Sequence, residues 1–274
     1  MPYITVNGAN LYFEDSAPDD TTKPILMFAH GLLWSTRMYD KQVAYFRDTF
    51  RCIAFDFRGQ GKSEITKDGY DMETLTEDTI ALMDALHIKQ CHFVGLSMGG
   101  FVAQRIAIFH PKRLSSLILL ETTADPEDPT HIVNYQRLIN AVRWLGVKRV
   151  SRKILPVLFS ESYLKDRTRK EECQWWLKQI QGNHKVGVIK AAQGAIKRKG
   201  IYGQLGKVQT PTLIVVGDED NAIPYKNSER MHFAIAGSKL AIIHKAGHTV
   251  TVEAPDQVNK LLRHFLEYCV KVPT

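Results

Sequence analysis

Cys91-His92-Phe93-Val94-Gly95-Leu96-Ser97-Met98-Gly99-Gly100-Phe101-Val102-Ala103 decides how this chain is read. Residues 91–96 form a short, mostly apolar run of strand length, as expected for a strand buried on both faces. Residues 98–109 carry a helix that Pro111 stops. Between the two stands a serine with a glycine two positions to either side. A serine at the tip of so tight a strand-to-helix turn needs a strained backbone, and side chains at 95 and 99 would collide there. The turn lifts the hydroxyl into the open at a helix N-terminus, where unpaired N–H groups favour a developing anion. Ser97 is therefore expected to be a nucleophile presented at the end of a buried strand.

The alternation of strand and helix continues outward. Residues 3–6 and 9–13 flank Asn7-Gly8, a favoured type I′ pair, and read as a hairpin. Residues 25–29, after Pro24, and residues 52–57 read as buried strands. In residues 74–86, Leu75, Thr79, Leu82, Met83 and Leu86 share a helical face. Residues 114–120, 212–216 and 240–243 read as further strands. Residues 255–268 form a closing helix, with Val258, Leu261, Leu262 and Phe265 on one stripe. This order implies the α/β class, with a mostly parallel sheet flanked by helices and antiparallel pairing at the hairpin edge. Between residues 120 and 212 the alternation stops. From about Thr130 to Lys199 the pattern is helical and contains Trp144, Trp175 and Trp176. Residues 1–123 and 201–274 are expected to form the α/β core. Residues 124–200 are expected to be a helical cap inserted above the carboxyl ends of the strands, where ligands bind in such sheets.

An activated serine needs a base. Ala246-Gly247-His248-Thr249 lies between the last strand and the last helix, so His248 can reach the same sheet edge. The base needs an orienting carboxylate. The run Val215-Val216-Gly217-Asp218-Glu219-Asp220-Asn221-Ala222-Ile223-Pro224 starts as a strand and ends in a loop where three acids compete. Glu121, at the end of the 114–120 strand, is a fourth candidate. Serine, acid, histidine is the chain order such a triad takes on an α/β sheet. The oxyanion is expected to meet the N–H of Met98 and, from His30-Gly31-Leu32-Leu33, the N–H of Leu32. Gly31 lets the backbone approach the substrate. His30, Gly31, Trp144 and Trp176 are expected to contact the substrate.

These stretches resemble the α/β-hydrolase superfamily over nearly the whole chain. The matches are His30-Gly31, Asp56-Phe57-Arg58-Gly59-Gln60-Gly61-Lys62-Ser63, residues 95–100, Gly217-x-x-Asp220 with Pro224, and Gly247-His248. By that Gly217 spacing the resemblance places the acid on Asp220. Gly-Leu-Ser-Met-Gly-Gly with His30-Gly31-Leu32 and Arg37-Met38-Tyr39 is most similar to 3-oxoadipate enol-lactonases and related carboxylesterases and lactonases. Haloalkane dehalogenases and epoxide hydrolases share the scaffold but carry aspartate where this chain has Ser97. The resemblance implies hydrolysis of a carboxylic ester or lactone through an acyl-enzyme, with no metal and no cofactor. Two alternatives remain open: perhydrolysis or carbon–carbon bond hydrolysis on the same triad, and a ligand receptor of slow turnover.

Composition excludes other classes. Hydrophobic residues make up 44% and charged residues 24% of the 274, an ordinary globular balance rather than a disordered one. No apolar run reaches the ~20 residues that span a bilayer, and the N-terminus lacks a basic-then-apolar leader, so the expectation is a cytoplasmic protein. The net charge of +7 gathers in residues 143–153, 165–170 and 190–199 without a nucleic-acid motif, and reads as solvated helical surface. The expected partner is a small-molecule ester or lactone, not nucleic acid or membrane. Cys52, Cys91, Cys173 and Cys269 show no CxxC pattern and no histidine at metal spacing, and read as free thiols.

Overall fold

The computed structural model describes residues 2–269, without the side chains of Tyr268 and Cys269. The reading of Cys269 as a free thiol lies outside the described residues. Strands β1 (Tyr3–Val6) and β2 (Ala9–Asp15) pair antiparallel across Asn7-Gly8. Both turn residues have positive φ, 47° and 72°, as a type I′ turn demands. The remaining strands are β3 (Ile25–Ala29), β4 (Arg51–Phe55), β5 (Cys91–Leu96), β6 (Leu114–Leu120), β7 (Thr212–Gly217) and β8 (Lys239–Ile243). They assemble in the order β1-β2-β4-β3-β5-β6-β7-β8, with β2 antiparallel to β4 and every pair from β4 to β8 parallel. Helices α1 (Asp40–Phe46), α2 (Met72–Ala85) and α3 (Met98–Phe109) connect the first strands. Five helices lie between β6 and β7: α4 (Pro129–Leu145), α5 (Val147–Leu158), α6 (Glu161–Lys165), α7 (Lys170–Gln181) and α8 (Lys185–Ile196). Then come α9 (Tyr225–Ala234), α10 (Val250–Glu253) and α11 (Pro255–Cys269).

Successive side chains on a strand point to opposite faces. Leu26, Phe28, Ala54, Val94, Leu96 and Ile118 therefore fill one core layer, with Phe46 of α1 and Val258, Leu262 and Phe265 of α11. Met27, Ala29, Ile53, Phe55, Phe93 and Leu117 fill the other, with Leu75 and Met83 of α2, Val102 and Ile106 of α3, and Met231 of α9. Covered on both faces, these strands read in the sequence as mostly apolar runs rather than alternating ones. The inserted helices extend the first layer through Val142, Val150, Ile154, Leu158, Ile180 and Val188.

Two helices escape a reading by periodicity. In α1 only Gln42 and Phe46 are buried, and in α9 only Ser228 and Met231, so neither carries an apolar stripe. Strand β4 ends at Phe55 rather than Phe57, because the next peptides turn toward other partners: the Phe57 N–H donates to His30 Nε2 at 3.1 Å. No helix among the described residues is long and apolar enough to cross a membrane. Cys52 and Cys91 are buried and free, and burial pushes both thiols up to about 12.

Candidate active site

Ser97 links β5 to α3 with φ 52° and ψ −111°, in the left-handed region that side chains seldom adopt. A Cβ on Gly95 would lie 2.4 Å from the Gly99 carbonyl oxygen, and one on Gly99 would lie 2.1 Å from that of Ala29. The turn is thus closed to any residue but glycine at both positions. It is held from behind: the Ser97 N–H donates to the Leu120 carbonyl at 2.9 Å, and the Thr122 hydroxyl donates to the Ser97 carbonyl at 2.9 Å. Strain at this residue is offset by hydrogen bonds to the neighbouring strand β6 and its exit loop.

Ser97 and His248 line one cavity of about 520 Å³, without a direct hydrogen bond between them among the described residues. Such contacts commonly close only when substrate is bound. His248 Nδ1 lies 2.8 Å from Asp220 Oδ2, and both residues are buried. The other oxygen, Oδ1, accepts the N–H groups of Ala222 at 2.7 Å and Ile223 at 3.0 Å. A carboxylate oxygen only accepts, so Nδ1 carries the proton and Nε2 is left with its lone pair.

The other acids have other partners. Asp218 takes His244 Nδ1 at 2.8 Å and the Lys245 N–H at 2.8 Å on the exposed side of the loop. Glu219 accepts the N–H and hydroxyl of Ser162 at the start of α6. Glu121 is fully buried, and its Oε1 accepts the Gly217 N–H at 2.7 Å. Burial first, and the Asp220 charge second, hold the Glu121 carboxyl well above the usual carboxylate range. Both influences favour the protonated form of the Glu121 carboxyl.

Leu32 and Met98 also line the cavity. Met98 is the first residue of α3, where an N–H has no partner within the helix. Leu32 is framed by a fixed neighbour: the Leu33 N–H donates to Gln60 Oε1 at 2.9 Å, and the Leu33 carbonyl accepts Asn183 Nδ2 at 2.9 Å. Burial pushes the His30 imidazole down to about 4, so it is neutral. With Nε2 accepting from Phe57, its Nδ1–H donates to the Gly31 carbonyl at 2.7 Å. A trans peptide points its C=O and N–H to opposite sides. Tying the Gly31 carbonyl to the buried ring turns the Leu32 N–H away from that ring.

Four expected contact residues fall elsewhere. His30 and Gly31 do not line the cavity; they hold the loop that leads to Leu32. Trp144 is 83% exposed. Ile139 and Val142 turn the inner face of α4 to the protein, and position 144 falls on the opposite side of the helix. Trp176 is buried in the core, edge-on to Trp34 with ring centroids 5.3 Å apart, and does not reach the cavity. The apolar wall comes instead from Leu138, Ile139 and Val142 of α4, Ile154 and Leu158 of α5, and Val188, Ile189 and Ala192 of α8. Their i, i+3 and i+4 spacing was the available signal. The cavity mouth is charged, with Asp125, Glu127, His131, Lys226 and Arg230 along it. There the Arg198 guanidinium stacks 4.3 Å over Phe101 and pairs with Glu127 at 2.8 Å.

Comparison with known proteins agrees with this architecture. A family model described as the alpha/beta hydrolase fold matches residues 24–145, and a model described as TAP-like protein matches residues 166–272. The chain is similar to 3-oxoadipate enol-lactonase 2 of Acinetobacter baylyi, with 27% identity over 86% of each chain. Among solved structures it is similar to an enol-lactonase from Burkholderia xenovorans LB400, with a TM-score of 0.90, 26% identity, and coverage of 97% of this chain and 99% of the other. It is also similar to a thermophilic esterase from Thermogutta terrifontis, with a TM-score of 0.87, 30% identity, and coverage of 98% and 97%. With its sheet order, its glycine-flanked serine turn and these relatives, the chain belongs to the α/β-hydrolase superfamily.

Proposed function

We propose that this protein is a serine hydrolase that cleaves a carboxylic ester or lactone through an acyl-enzyme. The observation that carries the reading is the meeting, in one apolar cavity, of a strained serine with a histidine whose far nitrogen is held by a buried carboxylate. The Ser97 hydroxyl attacks the carbonyl carbon while His248 Nε2 takes its proton. Asp220 keeps the other nitrogen protonated and stabilises the imidazolium that forms. The carbonyl oxygen, now negative, is received by the N–H groups of Leu32 and Met98. The intermediate collapses, and the alcohol leaves with the proton from His248. In a lactone this alcohol stays attached to the acyl group. Water then attacks the acyl-enzyme with His248 again as base, and the acid is released. Each step is completed by protein groups and water, without a metal or cofactor.

Residues 124–200 serve in this reading as a cap that selects the substrate. Leu138, Ile139, Val142, Val188 and Ala192 suit a small or medium apolar acyl group. The enol-lactonases and the esterase named above support ester and lactone chemistry over other reactions.

A fluorophosphonate probe and p-nitrophenyl acetate test the proposal. The probe should label Ser97 alone, as read by peptide mapping. Ser97→Ala should remain folded and lose about a million-fold in turnover, the scale for removing a triad nucleophile. Turnover should survive EDTA. Labelling at another serine, or activity that persists in Ser97→Ala, ends the proposal; a single event per molecule instead of continuing turnover identifies a receptor.

A further inference from the structure

We infer that Glu253 is a positioning residue for His248, and that through it the inserted helices hold the catalytic histidine loop in register. The inference rests on the reading of Ser97 and His248 as nucleophile and base.

Glu253 ends α10, five residues after His248, and is buried. Its carboxylate has four donors. Oε2 accepts the Ser160 N–H at 2.9 Å, the Ser160 hydroxyl at 2.5 Å and the Gly247 N–H at 3.1 Å. Oε1 accepts the Thr249 N–H at 3.2 Å. Gly247 and Thr249 are the residues on either side of His248. One carboxylate thus grips the backbone both before and after the imidazole, leaving His248 little freedom to slide or rotate its Cα. Ser160 belongs to the insertion, just before α6. The two segments meet backbone to backbone: a Cβ on Gly247 would stand 2.4 Å from the Ser160 nitrogen. A second tie runs alongside, from the Thr249 hydroxyl to the Leu158 carbonyl at 2.8 Å. A third comes from Arg169, whose guanidinium donates to the carbonyls of Glu253 and Val252 at 2.5 and 2.9 Å.

A buried carboxylate is costly unless its oxygens are satisfied. Burial pushes the Glu253 carboxyl up, and the hydrogen bonds from Ser160, Gly247 and Thr249 oppose that push. A helix stop on the surface would not need such an arrangement. The position of the four donors gives it a purpose: the N–H groups of Gly247 and Thr249 fix the peptide segment that carries His248, and the two from Ser160 tie that segment to the insertion. A misplacement of about 1 Å in a catalytic group can cost on the order of a hundredfold in rate.

Glu253→Gln keeps the volume and removes one acceptor. The amide oxygen remains where three donors converge, so the amide nitrogen faces the Thr249 N–H, donor against donor. The segment after His248 is released while the one before it stays held. In p-nitrophenyl acetate hydrolysis kcat should fall roughly ten- to a hundredfold with KM within about threefold. The downfield Nδ1 proton resonance of His248 should shift or broaden, and the melting curve should remain cooperative. A merely structural glutamate would lower the melting temperature and leave kcat per folded molecule unchanged. That result overturns the inference. Should Glu253→Gln fail to fold, Ser160→Ala carries the test. It removes the hydroxyl donor on the side of the insertion, and kcat should fall about threefold at unchanged KM; an unchanged kcat again overturns the inference. Fluorophosphonate labelling keeps the two proposals apart. If wild type is not labelled at Ser97, the hydrolase reading has failed. If it is labelled and Glu253→Gln turns over like wild type, only the role of Glu253 has failed.

Discussion

In Asp220→Asn the carboxylate becomes an amide with one oxygen and one nitrogen, and the surrounding backbone decides which faces the histidine. The N–H groups of Ala222 and Ile223, 2.7 and 3.0 Å from Oδ1, require an acceptor. Turning the NH2 toward them would leave a part-buried and a buried donor unpaired, about 1–3 kcal/mol for the buried one. The amide oxygen therefore stays with the backbone, and the NH2 meets His248 Nδ1 across the 2.8 Å contact. Nδ1 must then present its lone pair, and the ring proton moves to Nε2, toward Ser97. In that tautomer the base cannot take the serine proton, and the imidazolium has lost its counter-charge. The expected loss is about ten-thousand-fold in kcat, about 5 kcal/mol of barrier. Glu121→Gln is the control. Burial and the Asp220 charge both push the Glu121 carboxyl up, toward its neutral form, so a neutral amide of the same shape should cost about tenfold or less. Both variants should be assayed with p-nitrophenyl acetate, normalised to folded protein by thermal melting. If Glu121→Gln is the crippling change and Asp220→Asn the mild one, the acid acts from the end of β6, and the loop of residues 218–220 is only a structural turn.

Narrowing the cavity with Ala192→Trp should abolish turnover of medium-chain p-nitrophenyl esters while acetate hydrolysis stays within about tenfold; equal loss on both would show that the inserted helices act on catalysis itself. Trp144→Ala, at an exposed position, should change stability by less than about 0.5 kcal/mol and leave chain-length preference intact, as read from melts and the same ester series. His92 on β5 is buried against Ser116, and burial pushes its imidazole down to about 4 from an ordinary 6.5. The unfolded chain therefore takes up a proton below about 6.5 that the folded chain refuses until about 4; the contribution to stability is full above that window and is lost as pH falls through it. Relative to His92→Gln, wild type should lose about 2 kcal/mol between pH 7.5 and pH 5 in urea unfolding, and a pH-independent difference would mean that His92 takes up its proton alike in the folded and the unfolded chain.

What could be read from the chain was what neighbouring residues impose on one another. Steric exclusion around Ser97 acts over four residues, so Gly95 and Gly99 announce the turn. Burial on both faces makes β3, β5 and β7 mostly apolar runs, and the loss of that pattern after Leu120 marks the inserted helices. The Asn7-Gly8 turn follows from two positive φ angles that few other pairs accept. Trp144 and Trp176 misled because a large aromatic side chain suits a pocket, a core or a surface equally. Only the rotation of α4 and the packing on Trp34 assign them.

The division among the acids needed the tertiary structure. Asp218, Glu219 and Asp220 are consecutive and chemically alike; family spacing favours one, but their own chemistry does not separate them. Their different partners come from segments far along the chain: His244 for Asp218, Ser162 for Glu219, and His248 for Asp220. The same holds for Gln60 and Asn183, which fix Leu33, and for Glu253, whose bonds to Ser160 bridge 93 positions. A polar side chain that acts on a distant backbone leaves no periodicity and no steric requirement in its own neighbourhood. Local sterics and burial patterns are written in the order of residues, whereas hydrogen-bond partners across the fold exist only once the sheet and the inserted helices have brought them together.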